Sequence, residues 1–157
     1  VAVGSRYEDS DALGNGDSVS NSGAVYVFSK SGVSWLQETK LKADNTGSSD
    51  QFGRAVSMSS DGTKMAVGAF LEDSDATGNG DGLSSSGAVY VFTKITGSWT
   101  QEVKLKANDA GASDEFGFAV AISSNGTKVA SGAYREDSDV SGSGDSHNNS
   151  GAVYIYE

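Results

Sequence analysis

Short apolar runs separated by polar, glycine-rich stretches occupy the whole chain, and no stretch keeps the spacing of an amphipathic helix. The pattern predicts β-strands. Ala88-Val89-Tyr90-Val91-Phe92 is apolar on both of its alternating faces, so it must be covered on both sides. Trp99 to Leu105 alternates instead, with Glu102, Lys104 and then Lys106 opposite Val103 and Leu105, which suits an edge strand with one face in water. Arg54 to Met58 and Lys64 to Gly68 flank Ser60-Asp61-Gly62-Thr63, and Asp-Gly between two apolar runs signals a hairpin. A long polar loop, Glu72 to Ser86, separates the second strand from the third. Gly53, Ala55, Gly68 and Ala69 are small enough for backbones to approach closely.

The same pattern recurs along the chain. Ser22-Gly23-Ala24-Val25-Tyr26-Val27-Phe28 returns at Ser86 to Phe92 and at Ser150 to Tyr156, each time 64 residues on. Trp35 and Trp99, Phe52 and Phe116, and the pairs beginning at Glu8, Glu72 and Glu136 keep the same offset. A period this long, with four strands apiece, predicts an all-β protein built of β-propeller blades: four-stranded antiparallel sheets in a 64-residue repeat. A β-solenoid fits less well, because its coils are much shorter. Residues 1–41 hold the last three strands of a blade, 53–105 a complete blade and 117–157 the first three strands of another, so the expectation is a partial propeller. Its end strands would be completed by more chain or by other copies.

Composition narrows the function. The formal net charge of −10 disfavours nucleic acid and anionic lipid as partners and attracts cations. The chain has no cysteine, which removes disulfides and cysteine-ligated zinc, and no apolar run long enough to span a membrane.

Asp50-Gln51-Phe52-Gly53-Arg54-Ala55-Val56, Met65-Ala66-Val67-Gly68-Ala69 and Ser86 to Phe92 together resemble the FG-GAP repeat, the blade unit of the integrin α-subunit propeller and of many bacterial and algal surface proteins. The third repeat matches through Asp114, Phe116-Gly117, Gly132-Ala133 and Gly151 to Tyr154, and the first through Gly4 and Gly23 to Tyr26. The resemblance implies an extracellular or cell-surface setting and work in recognition or assembly. Two departures matter: Arg6, Phe70 and Tyr134 stand where that family has a proline, and the connection Ser59 to Thr63 is too short for an integrin-type calcium loop.

Three sets of residues carry candidate chemistry. Asp9, Asp11 and Asp17, with Asp73, Asp75 and Asp81 and with Asp137, Asp139 and Asp145, lie in acidic, glycine-containing loops that could wrap oxygens around Ca²⁺. The competing reading is that they cap the loop's own turns. Asp50 and Asp114 precede Phe-Gly and are either ligand contacts or ties for that turn. Asn125 and Asn148 head glycosylation sequons. The recurring aromatic residues, Trp35 and Trp99 included, are expected to pack between blades, with a sugar platform as the alternative for the tryptophans. No catalytic set assembles around His147, the one histidine, and Ser60 to Thr63 only partly resembles a sialidase Asp-box turn.

These readings point to a non-catalytic extracellular structural or adhesive module, whose partners are other copies, further repeats, or a surface protein or glycan. The alternatives are a Ca²⁺-stabilised recognition propeller and, last, a glycosidase-like enzyme.

Overall fold

The computed structural model describes residues 1–137 and 148–157. Its ten strands form three antiparallel sheets, and among the described residues there is no helix. The first sheet holds β1 (Ala2–Ser5), β2 (Ala24–Ser31) and β3 (Ser34–Leu41), in that order. The second holds β4 (Ala55–Met58), β5 (Lys64–Ala69), β6 (Ala88–Ile95) and β7 (Ser98–Leu105), again in sequence order. The third holds β8 (Phe116–Ile122), β9 (Val129–Ala133) and β10 (Ala152–Tyr156). The strands expected from the alternation pattern are all present, and β6 runs past Phe92 to Ile95.

The hairpin between β4 and β5 closes as its Asp-Gly signal predicts. Gly62 takes φ of +71°, and the Asp61 carboxylate accepts from Ser59 Oγ, at 2.6 Å, and from the Thr63 amide. β3 and β7 each carry one inserted residue, Glu38 and Glu102, where they pair with β2 between Val27 and Phe28 and with β6 between Val91 and Phe92. An inserted residue bends a strand and raises its twist, so the repeat copies a local bend as well as a sequence.

β6 is covered on both faces, as its composition demands. Tyr90 and Phe92 join Val25, Val27 and Leu41 of the first sheet in one core, together with Phe52, Met65 and Val67. Val89 and Val91 face the other way, into a second core with Phe116, Val129 and Ala133. Phe52 meets Tyr90 and Phe92 edge-on, at 5.5 and 5.9 Å between ring centres, and Phe116 meets Tyr154 and Tyr156 in the same way.

Each Phe-Gly segment also stitches its sheet to the one before. Phe52 and Gly23 pair in parallel, as do Phe116 and Gly87, and the amides of Ser49, Gln51 and Phe52 donate to the carbonyls of Ser20, Asn21 and Ser22. Gly53 takes φ of +87° there, and a Cβ on it would lie 2.5 Å from Ala24 O. Gly68 is tighter still: its Cβ would fall 1.9 Å from Gly117 O, so the backbones of adjacent sheets are almost in contact.

Burial differs between the ends and the middle. Val89 and Val91 are buried, whereas Val153 and Ile155 at the equivalent places of the third sheet are 72% and 68% exposed. Trp99 is half-buried against the core between the first two sheets, but Trp35 lies exposed on the outer side of the first. The expectation that both tryptophans pack is thus met at Trp99 alone, because no sheet covers that side of the first one.

Candidate functional site

In the first two sheets the acidic loops are tied to the outer edge of the sheet by lysine–carboxylate contacts. Glu72 stands just beyond β5, and its carboxylate accepts from Lys104 Nζ at 2.6 Å, Lys106 Nζ at 3.2 Å, Ser74 Oγ at 2.7 Å and Asn45 Nδ2 at 3.1 Å. Lys106 Nζ donates further to Ser86 Oγ and to Gly87 O. The first sheet repeats the arrangement: Glu8 accepts from Lys40, Lys42 and Ser10, and Lys42 donates to Ser22 Oγ at 2.6 Å. A carboxylate at one end of the long loop, clamped by one lysine of the outermost strand and a second just beyond its end, fastens that loop to the sheet. Burial pushes the Glu8 carboxyl up, but its bonds from Ser10, Lys42 and Lys40 outweigh burial and hold it down at about 2. Glu72 is likewise held below the usual carboxylate range, against burial, chiefly by Lys104 and Lys106. Burial lowers Lys106, and Glu72 opposes that.

This clamp changes the reading of the outermost strand. Lys104 and Lys106 were expected on a water-facing side, yet Lys106 is buried. The signal was in the sequence, since Lys40-Leu41-Lys42 and Lys104-Leu105-Lys106 keep the same spacing from Glu8 and Glu72. Alternation alone cannot show that a lysine ammonium turns back to a loop carboxylate.

The aspartates of the loops cap turns. Asp9 and Asp73 accept from the amides of Asn21 and Ser85, and Asp137 from Asn149. Asp11 accepts from the amides of Leu13 and Asn15, and Asp75 from those of Thr77 and Asn79. Asp17 and Asp81 lie exposed at the loop tips, while Asp139 and Asp145 are outside the described residues. Among the described residues no three Asp, Glu or His side chains gather into a group that could hold a metal ion. Oxygens of Asp9, Asp11, Asp73 and Asp75 are engaged with loop amides, and those of Glu8 and Glu72 with lysine.

Asp50 and Asp114 are buried beneath the turn before Phe-Gly. Their carboxylates accept from the amides of Gly47, at 2.7 Å, and Gly111. Burial pushes Asp50 up to about 7, with the Glu72, Asp73 and Asp81 charges adding to the shift and the Gly47 bond opposing it; Asp114 is raised for the same leading reason. Nearby, Asn45 joins two sheets by accepting from Tyr90 Oη at 2.8 Å while donating to Glu72. In the next repeat Tyr154 Oη donates to Asp109. Asn125 lies exposed in the β8–β9 hairpin, its amide oxygen bonded by Thr127, and Asn148 is also exposed.

The family model of the FG-GAP repeat matches residues 35–92 and 99–156. The chain belongs to the FG-GAP repeat family. Each matched FG-GAP unit begins in the outermost strand of one sheet and ends in the third strand of the next, so it spans the Phe-Gly stitch described above. FG-GAP repeats generally serve non-catalytic recognition or adhesion, and they are typically found in extracellular or surface proteins. No curated protein matches the chain. Among the described residues no helix is long and apolar enough to cross a membrane.

Proposed function

We propose that this chain is a non-catalytic structural or adhesive module of the extracellular space or cell surface, whose sheets are consecutive blades of a β-propeller and join further blades of the same kind. One observation carries the reading. The two outer faces are the separated halves of an interface that the chain already makes twice within itself. Val153 and Ile155 are exposed where Val89 and Val91 are buried, and Val3 and Trp35 are exposed where Val67 and Trp99 pack against a neighbour. A head-to-tail contact of this type is heterologous and closes into a ring or extends as a filament.

The test is the state of the chain in solution. Sedimentation is expected to show concentration-dependent association, and Val153→Glu with Ile155→Glu is expected to abolish it without loss of β-sheet circular dichroism. A chain that stays monomeric at high concentration, with the same folded spectrum, overturns the reading.

A further inference from the structure

Three asparagines precede glycine in this chain: Asn15, Asn79 and Asn125. Such a pair is chemically labile, because glycine has no side chain to keep its backbone nitrogen away from the asparagine amide carbon. The fold treats the three differently. Asn125-Gly126 turns the hairpin between β8 and β9 and is locked there. The Asn125 amide oxygen accepts from Ser123 Oγ at 2.7 Å, from Thr127 Oγ1 at 2.9 Å and from the Thr127 amide at 3.2 Å. The Gly126 amide is buried and donates to Ser123 O at 2.9 Å, and the Lys64 side chain of the neighbouring sheet packs against this glycine.

Asn15-Gly16 and Asn79-Gly80 hold one position in the first two long loops, 64 residues apart, and both are open. All four residues are exposed, and a Cβ on either glycine would meet nothing. Among the described residues the Gly16 and Gly80 amides have no acceptor, and no donor holds the side-chain oxygen of Asn15 or Asn79. The one side-chain bond here runs from Asn79 Nδ2 to Thr77 Oγ1, at 3.0 Å, and it leaves the amide carbon free to turn.

We propose that Asn15 and Asn79 deamidate spontaneously in the folded chain, to aspartate and isoaspartate, while the fold protects Asn125. The reaction needs only water. Base takes the proton from the glycine amide, and that nitrogen attacks the asparagine Cγ. A ring N–C bond forms, the Cγ–Nδ2 bond breaks and ammonia leaves. Water then opens the cyclic imide at one carbonyl to give aspartate, or at the other to give isoaspartate, and nothing is oxidised or reduced. At Asn125 the first step must strip a buried, bonded amide and swing the side chain out of three hydrogen bonds. Asp11 and Asp17, like Asp75 and Asp81, oppose the approach of base to the open loops, but salt screens that repulsion and does not open a bonded hairpin. Each conversion adds a negative charge to a chain already at −10, and isoaspartate also lengthens the turn that the Asp11 amide closes on Asn15 O, or the Asp75 amide on Asn79 O. The third repeat has Ser143 at this position and escapes the change. The inference does not depend on the end-face association proposed above.

Peptide mapping by mass spectrometry gives a direct test, after timed incubation of the whole chain in mildly alkaline, salt-containing buffer and digestion in mild acid. The gain in mass from amide to acid is read at each of the three asparagines, and isoaspartate is distinguished from aspartate by fragmentation. Folded, Asn15 and Asn79 are expected to convert about tenfold or more faster than Asn125, because the protecting hydrogen bonds add to the barrier at Asn125 alone. In guanidinium chloride the three rates are expected to converge. The proposal is overturned if Asn125 converts as fast as Asn79 in the folded chain, or if Asn15 and Asn79 keep their amides while the unfolded chain loses them. A rate difference that survives unfolding also overturns it, since local sequence rather than the fold would then be the cause.

Discussion

Asp50 is a carboxylate kept out of water and surrounded by other acids, and its consequence is a pH dependence of unusual sign. Its folded value of about 7 lies above the ordinary 3.8, so the folded state holds a proton that the unfolded chain has released. The contribution of Asp50 is therefore fully present below about pH 4 and is lost as pH rises through 7, at no more than about 1.4 kcal/mol per pH unit. Glu8 acts in the opposite direction: its stabilisation is complete above 4.5 and is lost as pH falls to about 2. Thermal melting is thus expected to peak between these windows, near pH 4 to 5, and to decline toward pH 8. Asp50→Asn keeps an acceptor for the Gly47 amide and is expected to flatten the alkaline decline. An unchanged slope in that variant would remove Asp50 as its cause.

The clamp on each long loop is a residue-scale device with a measurable strength. Glu72→Gln strands one buried ammonium group, Lys106, and one partly buried, Lys104, and breaking a buried pair in this way costs about 3 kcal/mol or more. Glu8→Gln is expected to cost less, because Glu8 and Lys40 are more exposed. Urea denaturation of the two variants measures both. Because lysine supplies the positive charge in these loops, EDTA is expected to leave the melting midpoint unchanged. A midpoint that rises with added Ca²⁺ would instead assign the loop tips, with Asp11, Asp17, Asp75 and Asp81, to the cation.

At the scale of the strands, the contact between sheets depends on glycine. Gly68→Ala places a methyl group 1.9 Å from the Gly117 carbonyl, and neither backbone can yield without parting the second and third sheets. We expect it to destabilise the chain by about 3 kcal/mol, the upper part of the usual range for overpacking. Gly82→Ala, where a methyl group meets nothing, is the control and should melt as the parent does. Phe52→Ala removes a fully buried ring that touches Tyr90 and Phe92, and about 3 to 5 kcal/mol is expected to go with it. Both strand-scale variants should lower the urea midpoint.

For the whole molecule, the sheets are coupled only to their neighbours, as in other repeat architectures. The middle sheet, covered on both faces, is expected to be the most protected against amide hydrogen exchange, and β1 and β10 the least. Uniform protection across the three sheets would contradict that ordering.

Strand identity and the Phe-Gly, Gly-Ala and Tyr positions were legible in the sequence because side-chain alternation and a constant offset of 64 residues are local or periodic properties. The double burial of β6 followed from its unbroken apolar run from Ala88 to Phe92. Other features depended on three dimensions. Lys42 and Lys106, just past the outermost strands, turn inward only because the long loop returns Glu8 and Glu72 to meet them. Trp35 is exposed while Trp99 packs, although the two share one sequence environment, since burial depends on which sheet stands beside the strand. A repeating sequence determines what each sheet is made of, whereas the charges and faces left without a partner are set by how successive sheets meet.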